Sequence, residues 1–539
     1  MMILLGGTQP DPMRRLSTLL ASLLIVAGVV LRVGGLIANR ALWGDEAAVA
    51  LNLRFRDFLG LLRPLDYDQT MPLPLLMGIK AIASVLGFSE WVLRLLPFLA
   101  GCLLVVALWI TFVRFFGRSV ALIALGLAAL WQPLIYYSSE LKQYGCDACV
   151  TVLTLWFALN TLDRKDSSRW PGLILWGAAA ILLSQPAVFV LAAVGVAALL
   201  APRTMYSKKW RVFCGIAAAC WLTEFVALFW FSYRYTSASP FMRSFWASSF
   251  LDPAPGFQHK LVVALWTMLG TASFAYMRSF VLVPVALAGL YGIWRSRGAQ
   301  GLALAVGPYG FLVGAAVLKQ YPIYTRLILF AIPLLFWIYA SGVTTIAAWV
   351  PAKFRAGAVS ILALAMLGPM AVTSIRYVMR FPTREATRQV LVRMNAIDGP
   401  PTPVYLVFAN YLQWAYYAGD WSQPKLLKER TDKVYSCSSC TNLAFTGSGG
   451  SRTEIVGTLP PRQPGAIADE QWASQEAGRI VANPGIASIW LFLPLYSDEY
   501  QPRNLLELLL ENLRDRHAYP LDQIRLGDTT ALRYALQPK

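Results

Sequence analysis

Two adjacent carboxylates, in Trp43-Gly44-Asp45-Glu46, stand where the first long apolar run of this 539-residue chain ends. Acids just outside a hydrocarbon stretch are costly unless they act, and the tryptophan beside them suits a membrane interface. A carboxylate so placed can take a proton from a hydroxyl acceptor, so Asp45 is the expected general base, with Glu46 beside it. The alternative is a plain helix N-terminus, whose positive end favours acids in the first turn. A second group is Tyr136-Tyr137-Ser138-Ser139-Glu140-Leu141-Lys142-Gln143-Tyr144, extended by Asp147. A helix beginning near Glu140 would put Glu140, Tyr144 and Asp147 on one face by their i, i+4, i+7 spacing. A Glu–Lys pair with capping serines would explain this group apart from Asp147, which lies inside an apolar run where acids usually face a polar interior. The third group is cationic: Arg94, Lys142 and the turn Tyr324-Thr325-Arg326. Fixed positive charge can receive a phosphate leaving group, and arginine holds it bidentately. Taken singly, each of these cations could equally be a snorkelling interfacial residue. Glu224 is a further acid inside an apolar run, a candidate cavity residue with no evident partner.

Such groups need an apolar scaffold, and the composition supplies one. The chain is 57% hydrophobic and 14% charged, where a soluble chain carries about 25% charge. Several runs approach the ~20 residues that cross a bilayer. About eleven transmembrane helices are expected: 16–38, 90–113, 119–137, 144–162, a hairpin around Gln185-Pro186, 212–231, 279–294, 301–318, 327–349 and 357–375. Each loop this assigns to the inside carries basic residues, among them Arg114 and Arg118, Lys208 and Lys209, and Arg295 and Arg297. That pattern places the N-terminus in the cytoplasm and accounts for the net charge of +18 without nucleic acid. An anionic lipid substrate is a second source of such charge. The first run is longer than the ~7–15 residues of a signal-peptide core and reads as a retained helix.

Residues 39–89 are expected outside as a loop with interfacial helices, and the membrane domain spans 1–375. From 376 to 539 the composition turns polar and reads as an extracytoplasmic α/β domain. Strands are expected at 403–409, 488–495 and 529–536, helices at 383–396 and 505–516, and a flexible Gly/Ser segment at 446–451. Cys437 and Cys440 fit a disulfide in an oxidising compartment better than zinc, since the chain has only two histidines. No glycine-rich phosphate loop, G-x-S-x-G elbow or H-E-x-x-H spacing is present. The fold class expected is an all-α polytopic membrane protein with a C-terminal soluble α/β domain.

Taken in order, Trp43-Gly44-Asp45-Glu46, Gln69-Thr70-Met71-Pro72-Leu73, Arg94-Leu95-Leu96-Pro97 and Tyr136–Tyr144 resemble the GT-C glycosyltransferases of the protein-mannosyltransferase and aminoarabinose-transferase type. The resemblance covers about the first 380 residues and is clearest up to residue 165. It implies a polyprenyl-phosphate-linked sugar donor used on the periplasmic face of a bacterial inner membrane, with a lipid, glycan or protein of the cell envelope as acceptor. Asp45 would be the catalytic base, Glu46 its neighbour, and Glu140 would open an E-A-R-x-Y-like pattern whose Arg is here Lys142 and whose Tyr is Tyr144. Arg94 would match the family's R-L-P and Arg326 its late R-Y-L-like turn. The usual H-P-P or K-P-P appears as Thr70-Met71-Pro72, leaving Gln69 as the replacement contact. The expected substrate-binding set is therefore Gln69, Arg94, Lys142, Tyr144, Asp147, Tyr324 and Arg326, with Asp45, Glu46 and Glu140 catalytic. No cofactor is called for; so many carboxylates are compatible with a divalent cation, though no spacing argues for a metal site. A transporter or lipid flippase is the rival reading, weakened by the lack of an internal repeat. A noncatalytic scaffold is a second rival.

Overall fold

The computed structural model describes residues 12–163, 168–201, 207–252, 256–270, 279–381, 385–398, 401–407, 411–436, 443–445, 452–457, 466–482, 485–494, 505–527 and 529–536. The chain divides into two compact units. One comprises Met1–Ala38, Leu62–Pro64 and Thr70–Phe381; the other comprises Asn39–Leu61, Leu65–Gln69 and Pro382–Lys539.

The first unit is helical. Its elements are α1 (Pro12–Ile37), then α3 (Leu73–Leu86), α4 (Glu90–Leu93), α5 (Leu95–Phe115), α6 (Arg118–Leu130), α7 (Gln132–Tyr137), α8 (Tyr144–Leu162), α9 (Trp170–Leu183) and α10 (Ala187–Leu199). They continue with α11 (Lys208–Leu228), α12 (Arg234–Ala238), α13 (Pro240–Phe245), α14 (Phe257–Gly270), α15 (Ser279–Val317), α16 (Ile332–Ala348) and α17 (Arg355–Met379); α2 belongs to the other unit. Among the described residues seven helices are long and apolar enough to cross a membrane: α1, α5, α8, α11, α15, α16 and α17. The eleven expected segments map onto these and onto three shorter apolar helices, α6, α9 and α10. The helix α15 accounts for two of the eleven, because Gly298 (φ 60°, ψ −153°) breaks it at a backbone conformation that glycine tolerates. The fourth shorter helix, α3, falls in the loop expected to lie at the interface.

One break matters for everything downstream. The segment 119–137 was expected as one helix, yet the chain leaves the helix at Trp131 (φ −77°, ψ 115°) and restarts as α7. Pro133 has no N–H to return to the Ala129 carbonyl, so the last carbonyls of α6 need other donors. Arg32 of α1, fully buried, supplies them, with Nη2 donating to Ala128 O (3.0 Å) and Nη1 to Gly28 O (2.9 Å) and to Ala129 O (3.5 Å). The Ser374 hydroxyl of α17 donates to the Leu130 carbonyl. A buried guanidinium is tolerable here because it meets the negative end of a helix.

The second unit holds a six-stranded sheet of order β2-β3-β1-β4-β6-β5, made of β1 (Val404–Val407), β2 (Leu443–Phe445), β3 (Glu454–Gly457), β4 (Ser488–Pro494), β5 (Tyr519–Leu526) and β6 (Thr529–Ala535). Strand β1 is parallel to β3 and β4, and the outer pairs are antiparallel. The three strands expected are present as β1, β4 and β6, and β2, β3 and β5 join them. The helices are α2 (Gly44–Phe55), α18 (Thr387–Ile397), α19 (Tyr411–Ala418), α20 (Pro424–Ser436), α21 (Ala466–Val481) and α22 (Leu505–Arg514). Part of the expected outer loop thus packs with the C-terminal sheet, α2 lying against α19. Its core joins Tyr405, Ile480, Ile489 and Leu491. Gly457 has no room for a side chain, since a Cβ there would lie 2.0 Å from the Tyr405 hydroxyl. Cys437, Cys440 and the Gly/Ser segment 446–451 lie outside the described residues.

Candidate active site

In the first unit, α7 follows the break after α6, and a tight turn follows its last residues, Tyr136 and Tyr137. Ser139 N donates to Tyr136 O (3.0 Å), Lys142 N donates to Glu140 O (2.8 Å), and α8 begins at Tyr144. The expected helix start near Glu140 is therefore four residues early. Glu140 sits in the turn rather than on the helix, and the i, i+4, i+7 face holds only for Tyr144 and Asp147. The turn nevertheless brings all of them inside: Glu140 is 0% and Asp147 4% exposed, and Lys142, Gln143 and Tyr144 are buried with them. Tyr137 packs edge-to-face on Tyr136 (4.9 Å) and on Tyr144 (5.2 Å).

Electrostatic neighbours extend this cluster. Glu140, Tyr144 and Arg326 all act on the Tyr137 hydroxyl. Tyr321, in the loop between α15 and α16, is pushed well above its ordinary phenol value by burial and then by Asp147 and Tyr144. Its hydroxyl donates to Leu327 O (3.0 Å) and so ties the Arg326 turn down. Tyr233, just beyond α11, feels both Asp147 and Glu224, which adds Glu224 to the same neighbourhood. Ser184 hydrogen-bonds the Asp147 carboxylate, yet Asp147 Oδ1 and Gln143 Oε1 are buried with no hydrogen-bond partner among the described residues. An orphaned buried polar atom costs about 1–3 kcal/mol, which a hydrogen bond to a bound polar group would recover.

The cations come from three stretches of the chain. Arg326 lies in the turn closed by Leu327 N to Tyr324 O (2.9 Å), and its guanidinium sits 5.6 Å from the rings of Trp246 and Tyr324. Arg94 is buried at the junction of α4 and α5. Gly101 of α5 lies against Ser138, while Phe115 at its other end meets Trp156 of α8 (5.6 Å). The two helices therefore run parallel, and Arg94 shares the end where Lys142 and Tyr144 lie. Sequence pattern alone does not single out Gln143, Ser184, Tyr233 or Tyr321. The one available signal was the polar interruption Ser184-Gln185 in the α9–α10 hairpin.

Asp45, Glu46 and Gln69 belong to the second unit. Asp45 and Glu46 occupy the first turn of α2, as the helix-terminus alternative required, with Glu46 fully buried and Asp45 half-buried. Glu385 accepts from Gly44 N (3.0 Å) and from Gln413, which seats the start of α2. Burial, then Asp68, then Asp45 push the Tyr435 phenol above its usual range, and its hydroxyl donates to Asp68 (2.9 Å). Lys428 bridges Asp66 (3.2 Å) and Asp432 (2.6 Å), and Arg56 pairs with Asp66 (2.7 Å). Gln69 donates to the Tyr67 carbonyl (3.0 Å). Among the described residues no three His, Cys, Asp or Glu side chains gather as a metal site.

A family model described as dolichyl-phosphate-mannose-protein mannosyltransferase matches residues 72–230. That stretch contains Arg94, Glu140, Lys142, Tyr144 and Asp147, and leaves out Asp45 and Arg326. Over it, the resemblance read from the sequence holds. Similar solved structures include ArnT from Cupriavidus metallidurans bound to undecaprenyl phosphate, at 14% identity and TM-score 0.48, covering 95% of this chain and 97% of that one. The apo state of the same protein aligns at 12% identity and TM-score 0.49, covering 97% and 98%. The Archaeoglobus fulgidus oligosaccharyltransferase tethered with an acceptor peptide aligns at 12% identity and TM-score 0.43, covering 74% and 63%. No curated protein matches.

Proposed function

We propose that this chain is a membrane glycosyltransferase moving a sugar from a polyprenyl-phosphate-linked donor to a cell-envelope acceptor on the periplasmic side of the bacterial cytoplasmic membrane. The observation that carries the reading is the buried cluster of Glu140, Tyr137, Tyr144 and Asp147 with Arg326 acting on it, in a membrane unit that is mostly apolar. Carboxylates of this kind accept hydrogen bonds from sugar hydroxyls, and an unsatisfied oxygen such as Asp147 Oδ1 is one that a substrate hydroxyl would satisfy.

The transfer is inverting. The acceptor oxygen or nitrogen attacks the anomeric carbon as Asp45 takes its proton. The bond from that carbon to the phosphate oxygen breaks, and the lipid phosphate leaves with the electron pair. Arg94, Lys142 and Arg326 are assigned the charge that develops on it, with Tyr324 holding the Arg326 turn. Lys142 meets phosphate as a point charge rather than a fork, so the two arginines carry the directional contacts. Glu140, Tyr144 and Asp147 orient the sugar, Glu46 and Gln69 are assigned supporting contacts, and the chemistry calls for no cofactor.

The test is transfer of a labelled sugar from a polyprenyl-phosphate donor by purified Asp45→Asn protein. Losing a general base removes about 10²–10⁴-fold in rate. Turnover at the wild-type rate by a folded Asp45→Asn protein would refute the assignment. Passage of intact lipid-linked sugar across the bilayer, with no glycosidic bond formed, would instead favour a flippase.

A further inference from the structure

The far end of α8 belongs to another place. There α5, α6, α8, α15 and α16 surround a cavity of about 790 Å³. Phe116 stacked on Trp337 (4.2 Å, 20°) forms part of its wall, together with Val120, Leu162 and Leu304. Gln300, Ser341, Thr344 and Thr345 add polar groups, and Arg297 and Asp163 close one side. Arg297 gives Nη1 and Nη2 to the two oxygens of Asp163 (2.9 and 3.2 Å) and Nη2 also to the Phe115 carbonyl (2.8 Å). A smaller hollow of about 250 Å³ shares Phe115, Leu159, Asp163 and Arg297 and adds Arg114 and Asn160. Arg114 is exposed in the last turn of α5 and makes no ion pair among the described residues.

The walls are set in advance. A Cβ on Gly289 would fall 2.0 Å from the Ile338 carbonyl, and one on Gly342 2.0 Å from that of Val285, so α15 and α16 touch backbone to backbone beside the cavity. The cavity also sits where apolar helices give way to charge: Arg114 ends the apolar course of α5, and Arg297 precedes the break at Gly298. That is the level of a bilayer surface, where basic pockets between helices take phospholipid headgroups.

We propose that this cavity binds the headgroup and upper acyl chain of an anionic glycerophospholipid drawn from the surrounding bilayer. Arg114, which pairs with no carboxylate among the described residues, takes the phosphate. The Asp163 pair holds the Arg297 fork in place beside it, and its partly exposed carboxylate repels a second negative charge, which fits a monoanionic headgroup. The headgroup hydroxyls meet Gln300 and Thr344, and the chain runs along Phe116 and Trp337. Free inorganic phosphate would gain nothing from that aromatic wall. The site is separate from the acids at the other end of α8 and does not depend on the transfer chemistry.

The experiment uses the full-length protein in neutral detergent. Thermal unfolding and native mass spectrometry are followed as phosphatidylglycerol, phosphatidylcholine or inorganic phosphate is added. Phosphatidylglycerol should raise the midpoint and stay bound, while the other two do so weakly or not at all. Arg114→Glu should weaken phosphatidylglycerol binding roughly ten- to thirtyfold, from about one kcal/mol per surface charge. Arg114→Lys should keep most of the binding, and Arg355→Glu, which reverses a basic residue outside the cavity, should keep nearly all of it. Equal effects of phosphatidylcholine or free phosphate would overturn the proposal, as would equal losses from Arg114→Glu and Arg355→Glu.

Discussion

The two ends of α8 treat their acids in opposite ways. At its start, Asp147 is 4% exposed and keeps Oδ1 without a hydrogen-bond partner among the described residues, with Gln143 Oε1 in the same condition. At its end, the Asp163 side chain is 41% exposed and both oxygens are taken by Arg297. The helix dipole favours an acid in the first turn and opposes one after the last, so Asp163 needs its arginine for the fold. Asp147 has the favourable end of the helix and is still left dry and half-satisfied. A satisfied, partly wet acid is accounted for by folding alone. A dry, under-satisfied one keeps a hydrogen-bonding position that a polar ligand could complete.

The contrast can be broken at either end. Asp147→Asn should lower the transfer rate by about 10²-fold or more while the unfolding midpoint holds or rises, because a buried carboxyl with one oxygen unsatisfied adds little stability. A wild-type rate from that variant would remove the distinction. Asp398 of the second unit sharpens it as an acid whose side chain is only 2% exposed and fully served. Burial raises its carboxyl, but hydrogen bonds from Arg452, Trp490 and Thr402 outweigh that and hold it below the usual range. Because its folded value is depressed, its stabilisation is complete above the ordinary carboxylate value near 4 and is lost as pH falls through the folded one. Asp398→Asn should cost about 3 kcal/mol by leaving Arg452 unpaired, and should flatten the acid limb of a pH–stability curve.

Arg326→Ala should lower kcat/KM for the lipid donor by roughly ten- to a hundredfold, from the ~1.5–3 kcal/mol of a charged hydrogen bond, with Arg326→Lys recovering part of it. The smallest effect belongs to Asp163→Asn. An ion pair this exposed is worth at most about 1 kcal/mol, so the midpoint should shift by a few degrees or less and the transfer rate should stay within about twofold.

The membrane segments were legible because a run of apolar side chains is a local property. The α9–α10 hairpin was found for the same reason, with Gln185-Pro186 marking its turn. The break at Trp131 has one local signal, Pro133, which the single segment 119–137 passes over, while the groups that hold it, Arg32 and Ser374, reach the α6 carbonyls from distant stretches of chain. After the break α7 ends at Tyr137, Glu140 lies in the turn that follows, and α8 starts at Tyr144. In the second unit β1, β4 and β6 are apolar and were readable, whereas β5 is an edge strand with mostly exposed side chains and carries no buried-strand signature. Among the site residues, carboxylates and arginines announce themselves in an apolar chain. Gln143, Ser184 and Tyr321 are ordinary by type and become informative only once burial and neighbours are known.

The most direct measurement is product formation itself. A labelled polyprenyl-phosphate sugar is supplied to membranes containing the wild-type, Asp147→Asn or Asp163→Asn protein, and both glycosylated acceptor and freed polyprenyl phosphate are quantified. The expected result is equal amounts of the two products from wild type and Asp163→Asn, and almost none from Asp147→Asn. Donor that stays intact with wild-type protein, or loss of product by Asp163→Asn alone, would contradict it.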